Sequence, residues 1–212
     1  HNPPFPVRAL AFSPDGRSLA AASWDGTIRL WNLQDDRTLY TFKARMLPIR
    51  ALAFSAENNL LYAWTPRESI QVWSLEDGRK KEDIYIGKDE RGFLSQGGSF
   101  TQDGSLFAAN HGLRIRVFLT RNGTTLRLIR DLQEAAQNVA LSQNGAVVAA
   151  AGQEFMKIWS LENGSLLASL TLQPSTKAAL VALSPDGSVL YSLTNTLMRR
   201  NISSNGSGII NE

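Results

Sequence analysis

The sequence predicts an all-β protein, a β-propeller built from five four-stranded antiparallel blades. Three observations predict it. A Ser/Thr-headed turn recurs as "SPDG" (13–16), "SAEN" (55–58), "TQDG" (101–104), "SQNG" (142–145) and "SPDG" (184–187), at steps of 42, 46, 41 and 42 residues. A second marker keeps the same time: "IRLWNL" (28–33), "IQVWSL" (70–75), "IRVFLT" (115–120), "MKIWSL" (156–161) and "LMRRNI" (197–202). No stretch sustains the apolar i, i+3, i+4, i+7 spacing of a helix, and "DLQEAAQNVAL" (131–141), which comes nearest, reads by its place in the repeat as a linker and first strand. Two independent markers with a period near forty identify a repeat array. Each unit of such an array depends on its neighbours to bury its apolar faces.

The first unit justifies the strand count. "VRALAFS" (7–13) alternates, with Val7, Ala9 and Ala11 on one side and Leu10 and Phe12 on the other. In "SPDG", Pro14 presets its φ and Gly16 accepts a positive one. "RSLAAAS" (17–23) is a strand of small residues suited to a tightly packed sheet, "WDG" (24–26) turns the chain, and "TIRLWNL" (27–33) is a third strand. "QDDR" (34–37) turns it again before "TLYTFKA" (38–44). Four short strands joined by turn-sized connections make an antiparallel meander. The later units repeat the plan, giving blades at about 5–44, 45–88, 89–132, 133–173 and 174–212 of a single domain, 1–212.

Composition narrows the function. Hydrophobic residues make up 43% of the 212, an ordinary globular share, and no apolar run reaches the ~18–20 residues that a membrane-spanning helix needs. The start, "HNPPFPVRAL", lacks the charged and apolar regions of a signal peptide, which favours a cytoplasmic location. Cysteine is absent, excluding disulfides and cysteine-based metal sites or nucleophiles. The net charge of +3 is small for a nucleic-acid binder. The Asn-Gly pairs within the glycosylation sequons at 122–124, 163–165 and 205–207 read as turns.

"PVRALAFSPDGRSLAAASWDGTIRLWNL" (6–33) resembles a WD-repeat nearly position for position, and the later units resemble divergent copies. The resemblance implies a hydrogen-bonded tetrad in blade one, mapped to Ser23, Asp25 and Trp31 with His1 as a poorly spaced fourth member. In the later blades Trp73 and Trp159 persist, whereas Phe118 and Arg200 replace the Trp. Family members usually have seven blades. Five therefore imply either a compact closed ring or an arc of a larger propeller, with the arc favoured. An arc exposes apolar blade faces for self-association or for the rest of a longer parent chain.

For catalysis the chain is poorly equipped. It has two histidines, His1 and His111, and none of the nucleophile-elbow, zincin, phosphate-loop or calcium-loop motifs. No cofactor and no metal site is expected, and an enzyme is disfavoured. A channel enzyme or small-ligand propeller of the quinoprotein or lactonase kind is the alternative. "GRKKED" (78–83) reads as a solvated loop with balanced charge, and no aromatic residues interleave the cations, so a nucleic-acid partner is disfavoured. The resemblance implies partner docking on the face that carries the linkers into each first strand and the turns between second and third strands. Carried over position by position, that face holds Arg8, Trp24, Arg50, Arg67, Gln96 and His111. A turn Trp beside two Arg suits a protein or acidic peptide, through ion pairs and cation–π contact. The competing reading is an ordinary surface aromatic among solvated cations.

Overall fold

In the computed structural model, the described residues are 5–44, 49–57, 59–65, 69–85, 97–111, 114–121, 125–132, 134, 136–152, 154–172, 180–193, 197–202 and 209–211. Among them are twenty strands in five four-stranded antiparallel sheets. Blade one holds β1 (Val7–Phe12), β2 (Ser18–Ser23), β3 (Thr27–Asn32) and β4 (Thr38–Lys43). Blade two holds β5 (Ala51–Phe54), β6 (Leu60–Thr65), β7 (Ser69–Ser74) and β8 (Lys80–Tyr85). Blade three holds β9 (Gly98–Phe100), β10 (Leu106–His111), β11 (Arg114–Arg121) and β12 (Thr125–Leu132). Blade four holds β13 (Asn138–Leu141), β14 (Val147–Ala151), β15 (Phe155–Ser160) and β16 (Leu166–Thr171). Blade five holds β17 (Leu180–Leu183), β18 (Val189–Leu193), β19 (Leu197–Ile202) and β20 (Ile209–Asn211). Within each sheet the spatial order follows the chain, as in a meander.

The recurrent turn exists because one hydroxyl does two jobs. In blade one the Ser13 hydroxyl donates to the Asp15 carboxylate at 2.6 Å, while its oxygen accepts the Ser18 N–H at 2.8 Å as β2 begins. Asp15 in turn accepts the Arg17 N–H at 3.0 Å. Ser184 and Asp186 repeat this pattern in blade five, and Ser142 with Asn144 repeats it in blade four. In blade two Ser55 bonds Asn59 and the Leu60 N–H; in blade three Thr101 accepts the Leu106 N–H. Gly16 closes its turn at φ 70°, a left-handed conformation that glycine adopts without a Cβ penalty.

Contacts group the chain into two units. Unit 1 comprises His1–Leu94, Gln102–Ser105 and Leu119–Arg127; unit 2 comprises Ser95–Thr101, Leu106–Phe118 and Leu128–Glu212. The core of unit 1 lies between blades one and two, where Ala22, Ile28 and Leu30 pack on Leu52, Phe54 and Trp73. Phe42 and Trp73 meet there with ring centroids 5.5 Å apart. In unit 2, Ile115 and Val117 of blade three pack on Leu141 and Trp159 of blade four, and on its other side Met156 and Ile158 pack on Leu190 of blade five.

One sequence expectation is corrected. "GRKKED" is a loop only at its start: Lys80 and Glu82 pair with Trp73 and Val72 across the sheet, so the rest of that segment is strand β8. The charge balance is local, with Lys80 Nζ 2.8 Å from Asp83 Oδ2. The Lys80 ammonium also lies 6.0 Å from the Trp73 ring centroid.

Candidate functional site

The site begins with an irregularity in β1. Val7 pairs with Ser23 and Ala9 with Ala22, so Arg8 is the extra residue of a β-bulge. A bulge leaves its residue outside the ladder and re-aims its side chain. Arg8 is exposed. The same step in the next blade places Arg50 immediately before β5, exposed, with its N–H donating to the Trp64 carbonyl at 3.0 Å.

Trp24 stands in the turn between β2 and β3. Its N–H donates to the Pro6 carbonyl at 3.0 Å, which fixes the turn beside the entry to β1. The indole is 47% exposed and stacks on Phe5, with centroids 6.2 Å apart at an interplanar angle of 26°. Phe5, itself exposed, is a site residue that the sequence pattern did not single out. The Val7–Ser23 pairing sets Pro6 opposite Trp24 and so brings Phe5 to the same turn, and that pairing is the signal from which Phe5 could have been found. Arg67 and Gln96, expected on this face, lie outside the described residues. His111 ends β10, in unit 2.

Asp25 anchors the same turn. Its carboxylate accepts the Thr27 N–H at 3.0 Å, the Thr27 hydroxyl at 2.8 Å and the Lys43 ammonium at 3.0 Å. These bonds, led by the Thr27 N–H and followed by Lys43, hold its carboxyl well below the ordinary carboxylate range. Ser23 donates to the Phe5 carbonyl at 3.3 Å. Trp31 makes no hydrogen bond to Asp25 or Ser23. The register explains this: Trp31 lies opposite Leu19, at the other end of β2 from Ser23. The tetrad expected from the resemblance is thus replaced by an Asp25–Thr27–Lys43 cluster, and His1 lies outside the described residues. Lys43 is the cross-strand partner of Thr27, a relation visible only once β3 and β4 are paired.

Unit 1 also contains a polar cavity of about 500 Å³ lined by Ser55, Glu57, Tyr62, Lys81, Asp103 and Thr120. Burial pushes the Tyr62 hydroxyl above its usual pKa of 10.0, an effect that a hydrogen bond with Thr120 partly offsets. Among the described residues no three His, Cys, Asp or Glu side chains gather as a metal site would require.

Four-stranded antiparallel blades repeated about every forty residues define a β-propeller repeat protein. Residues 1–32 match the family model of the WD domain, G-beta repeat. The whole chain matches a chain of the crystal structure of the mitotic checkpoint complex, with a TM-score of 0.76 at 14% identity. The match covers 100% of this chain and 65% of that one, so this chain spans a little under two thirds of its length. It is one of 1822 solved chains that match, and the likeness therefore reports an architecture rather than a particular relative. No curated protein sequence matches. The likeness to the solved chain shows the β-propeller fold, and the family model matches the first repeat of this chain.

Proposed function

We propose that the chain is a non-catalytic scaffold that captures a protein or acidic peptide segment through the Arg8–Trp24–Arg50 edge of blades one and two. Propellers of this fold commonly mediate protein–protein interaction, and fold alone leaves the site to be argued from its residues. The observation that carries the reading is the Arg8 bulge beside the Trp24–Phe5 stack. An exposed pair of stacked rings offers a flat apolar platform, and Arg8 and Arg50 hold the same repeat position on neighbouring first strands. Trp and Arg are the side chains most enriched at binding hot spots, since they combine area with directed hydrogen bonds. Guanidinium groups favour carboxylates, which they engage through two parallel N–H bonds.

An array of acidic and neutral peptides, probed with the full chain, tests the reading. The double variant Arg8→Glu/Arg50→Glu is expected to lose capture of acidic peptides by at least about tenfold, with an unchanged far-ultraviolet spectrum. Trp24→Ala is expected to weaken capture of both acidic and aromatic peptides. Undiminished capture by both variants would overturn the site.

A further inference from the structure

Successive blade turns can lock directly together, and within unit 2 they do. The Asn144 side-chain amide of blade four donates to the Asp186 carbonyl of blade five at 2.8 Å, and the Asn144 N–H donates to the Pro185 carbonyl at 3.0 Å. Within unit 1 the same two repeat positions hold Glu57, in the turn of blade two, and Asp103, in the turn that follows. An ionised carboxylate has no N–H to give, and two of them at one place repel. Between these turns lies the polar cavity of about 500 Å³. Both acids are held in place from behind: Asp103 accepts the Ser105 N–H at 3.0 Å and the Ser105 hydroxyl at 2.8 Å, and Glu57 accepts from the Asn59 amide at 3.3 Å.

Two further departures from the repeat meet at this cavity. Tyr62 stands where blades one, three and four carry Ala20, Ala108 and Ala149. Its hydroxyl bonds Thr120, whose own hydroxyl donates to the Gly104 carbonyl. After burial, the charges of Asp103 and Glu57 are what raise the pKa of this hydroxyl, so both acids bear on the same space. The second departure is a cation. Strand β8 bulges opposite Trp73: Val72 pairs with Glu82 and Trp73 with Lys80, which leaves Lys81 as the extra residue. The fourth strands of blades one and four bulge at the same place, but there the extra residues are Leu39 and Leu167. A bulge re-aims its side chain, and here it brings Lys81 to the cavity wall. Its neighbours Lys80 and Asp83 pair with each other, and Lys81 is exposed.

We propose that this cavity binds a free basic amino acid, lysine or arginine, with its carboxylate on Lys81 and its two cationic groups on Glu57 and Asp103. The class follows from charge. The lining offers two anions and one cation, and a basic amino acid carries the complement, two cations and one anion. An acidic amino acid would set its second carboxylate against Glu57 or Asp103, and a neutral sugar would leave all three charges unmatched. Hydrogen bonds between ionised partners are the strong ones, and the hydroxyls of Ser55 and Thr120 lie in the same wall. The volume falls within the range of about 300–1,000 Å³ usual for small-molecule pockets. The site shares no residue with the Arg8–Trp24–Arg50 edge and does not depend on that reading.

Calorimetric titration of the full chain at low salt tests this, with L-lysine, L-arginine, L-norleucine, L-glutamate, 1,5-diaminopentane and glucose as ligands. Lysine and arginine are expected to bind one per chain, and norleucine, glutamate and glucose at least about tenfold more weakly. Lys81→Met is expected to weaken lysine by about tenfold and to spare 1,5-diaminopentane, which has no carboxylate to lose. Glu57→Gln is expected to weaken both. Glu57 and Lys81 are exposed, so both variants retain the fold, which circular dichroism checks. Three results would overturn the proposal: no binding of lysine or arginine by the unaltered chain, glutamate or glucose bound as tightly as lysine, or lysine binding undiminished in either variant.

Discussion

Blade one and blade five leave their first strands through the same residues, SPDG, and make the same turn. Ser13 reaches Asp15 at 2.6 Å, and Ser184 reaches Asp186 at 2.6 Å. Beyond the turn they part. The third strand of blade one, "TIRLWN", buries Ile28 and Leu30 against blade two, whereas "LMRRNI" of blade five leaves Leu197, Met198 and Arg199 exposed. Where blades one, two and four carry Trp31, Trp73 and Trp159, blade five carries Arg200. Its buried Nε and Nη1 have no hydrogen-bond partner among the described residues. The turn is a local device that works wherever its residues stand. The burial of a strand is set by the blade laid on top of it, and equal sequence positions acquire unequal energetic weight accordingly.

The sharpest way to break the comparison is to truncate equivalent residues. Ile28→Ala empties a fully buried site and is expected to cost about 2–5 kcal/mol. Leu197→Ala, at the same repeat position but 70% exposed, is expected to stay within about 0.5 kcal/mol. Thermal unfolding reads the difference at roughly 2–4 °C per kcal/mol. Equal shifts would mean that Leu197 is covered in solution.

A smaller contrast separates the turn glycines. Both Gly16 and Gly104 hold positive φ, and alanine there costs about 1–2 kcal/mol from backbone conformation alone. Gly104→Ala adds a collision with the Phe54 carbonyl, so it is expected to lower the unfolding midpoint further than Gly16→Ala does. Equal effects would show that the Gly104 turn can shift away from the Phe54 carbonyl without loss.

The smallest effect is common to both end blades. The Ser184 hydroxyl, then the Ser188 N–H and hydroxyl, lower the Asp186 pKa from its ordinary 3.8 to about 2; Ser13 and the Arg17 N–H lower Asp15 in the same direction. A carboxyl depressed on folding contributes stability that is fully present above its unfolded pKa and lost as pH falls through its folded one. Stability is therefore expected to be insensitive to these groups at neutral pH and to decline between about pH 4 and pH 2. Ser184→Ala is expected to flatten that decline, as measured by denaturant titration across the acid range.

Much of the fold could be read from residue spacing, because a Ser/Thr hydroxyl closes every described blade turn and the third-strand marker recurs at the same period. The strands fell within a residue or two of expectation wherever a turn bounded them closely. The candidate site was only half legible. The turn dipeptide betrays Trp24, but the bulge that frees Arg8, the Phe5 stack and the Lys43 partner of Asp25 all depend on cross-strand register. Register also separates Trp31 from Ser23, a separation hidden when the residues are aligned to a repeat pattern alone. The side on which a blade lies bare is likewise a property of neighbours.

The serine-headed turn has a consequence in time. Each one ties residues five apart, such as Ser142 and the Val147 N–H, without help from any other blade. Short hairpins of this kind close on a scale of about microseconds, well before contacts forty residues apart can meet. Hairpin closure is therefore faster than the stacking of one blade on the next. The slow step is stacking them, which makes the order of stacking, rather than the making of strands, the quantity that a kinetic experiment would observe.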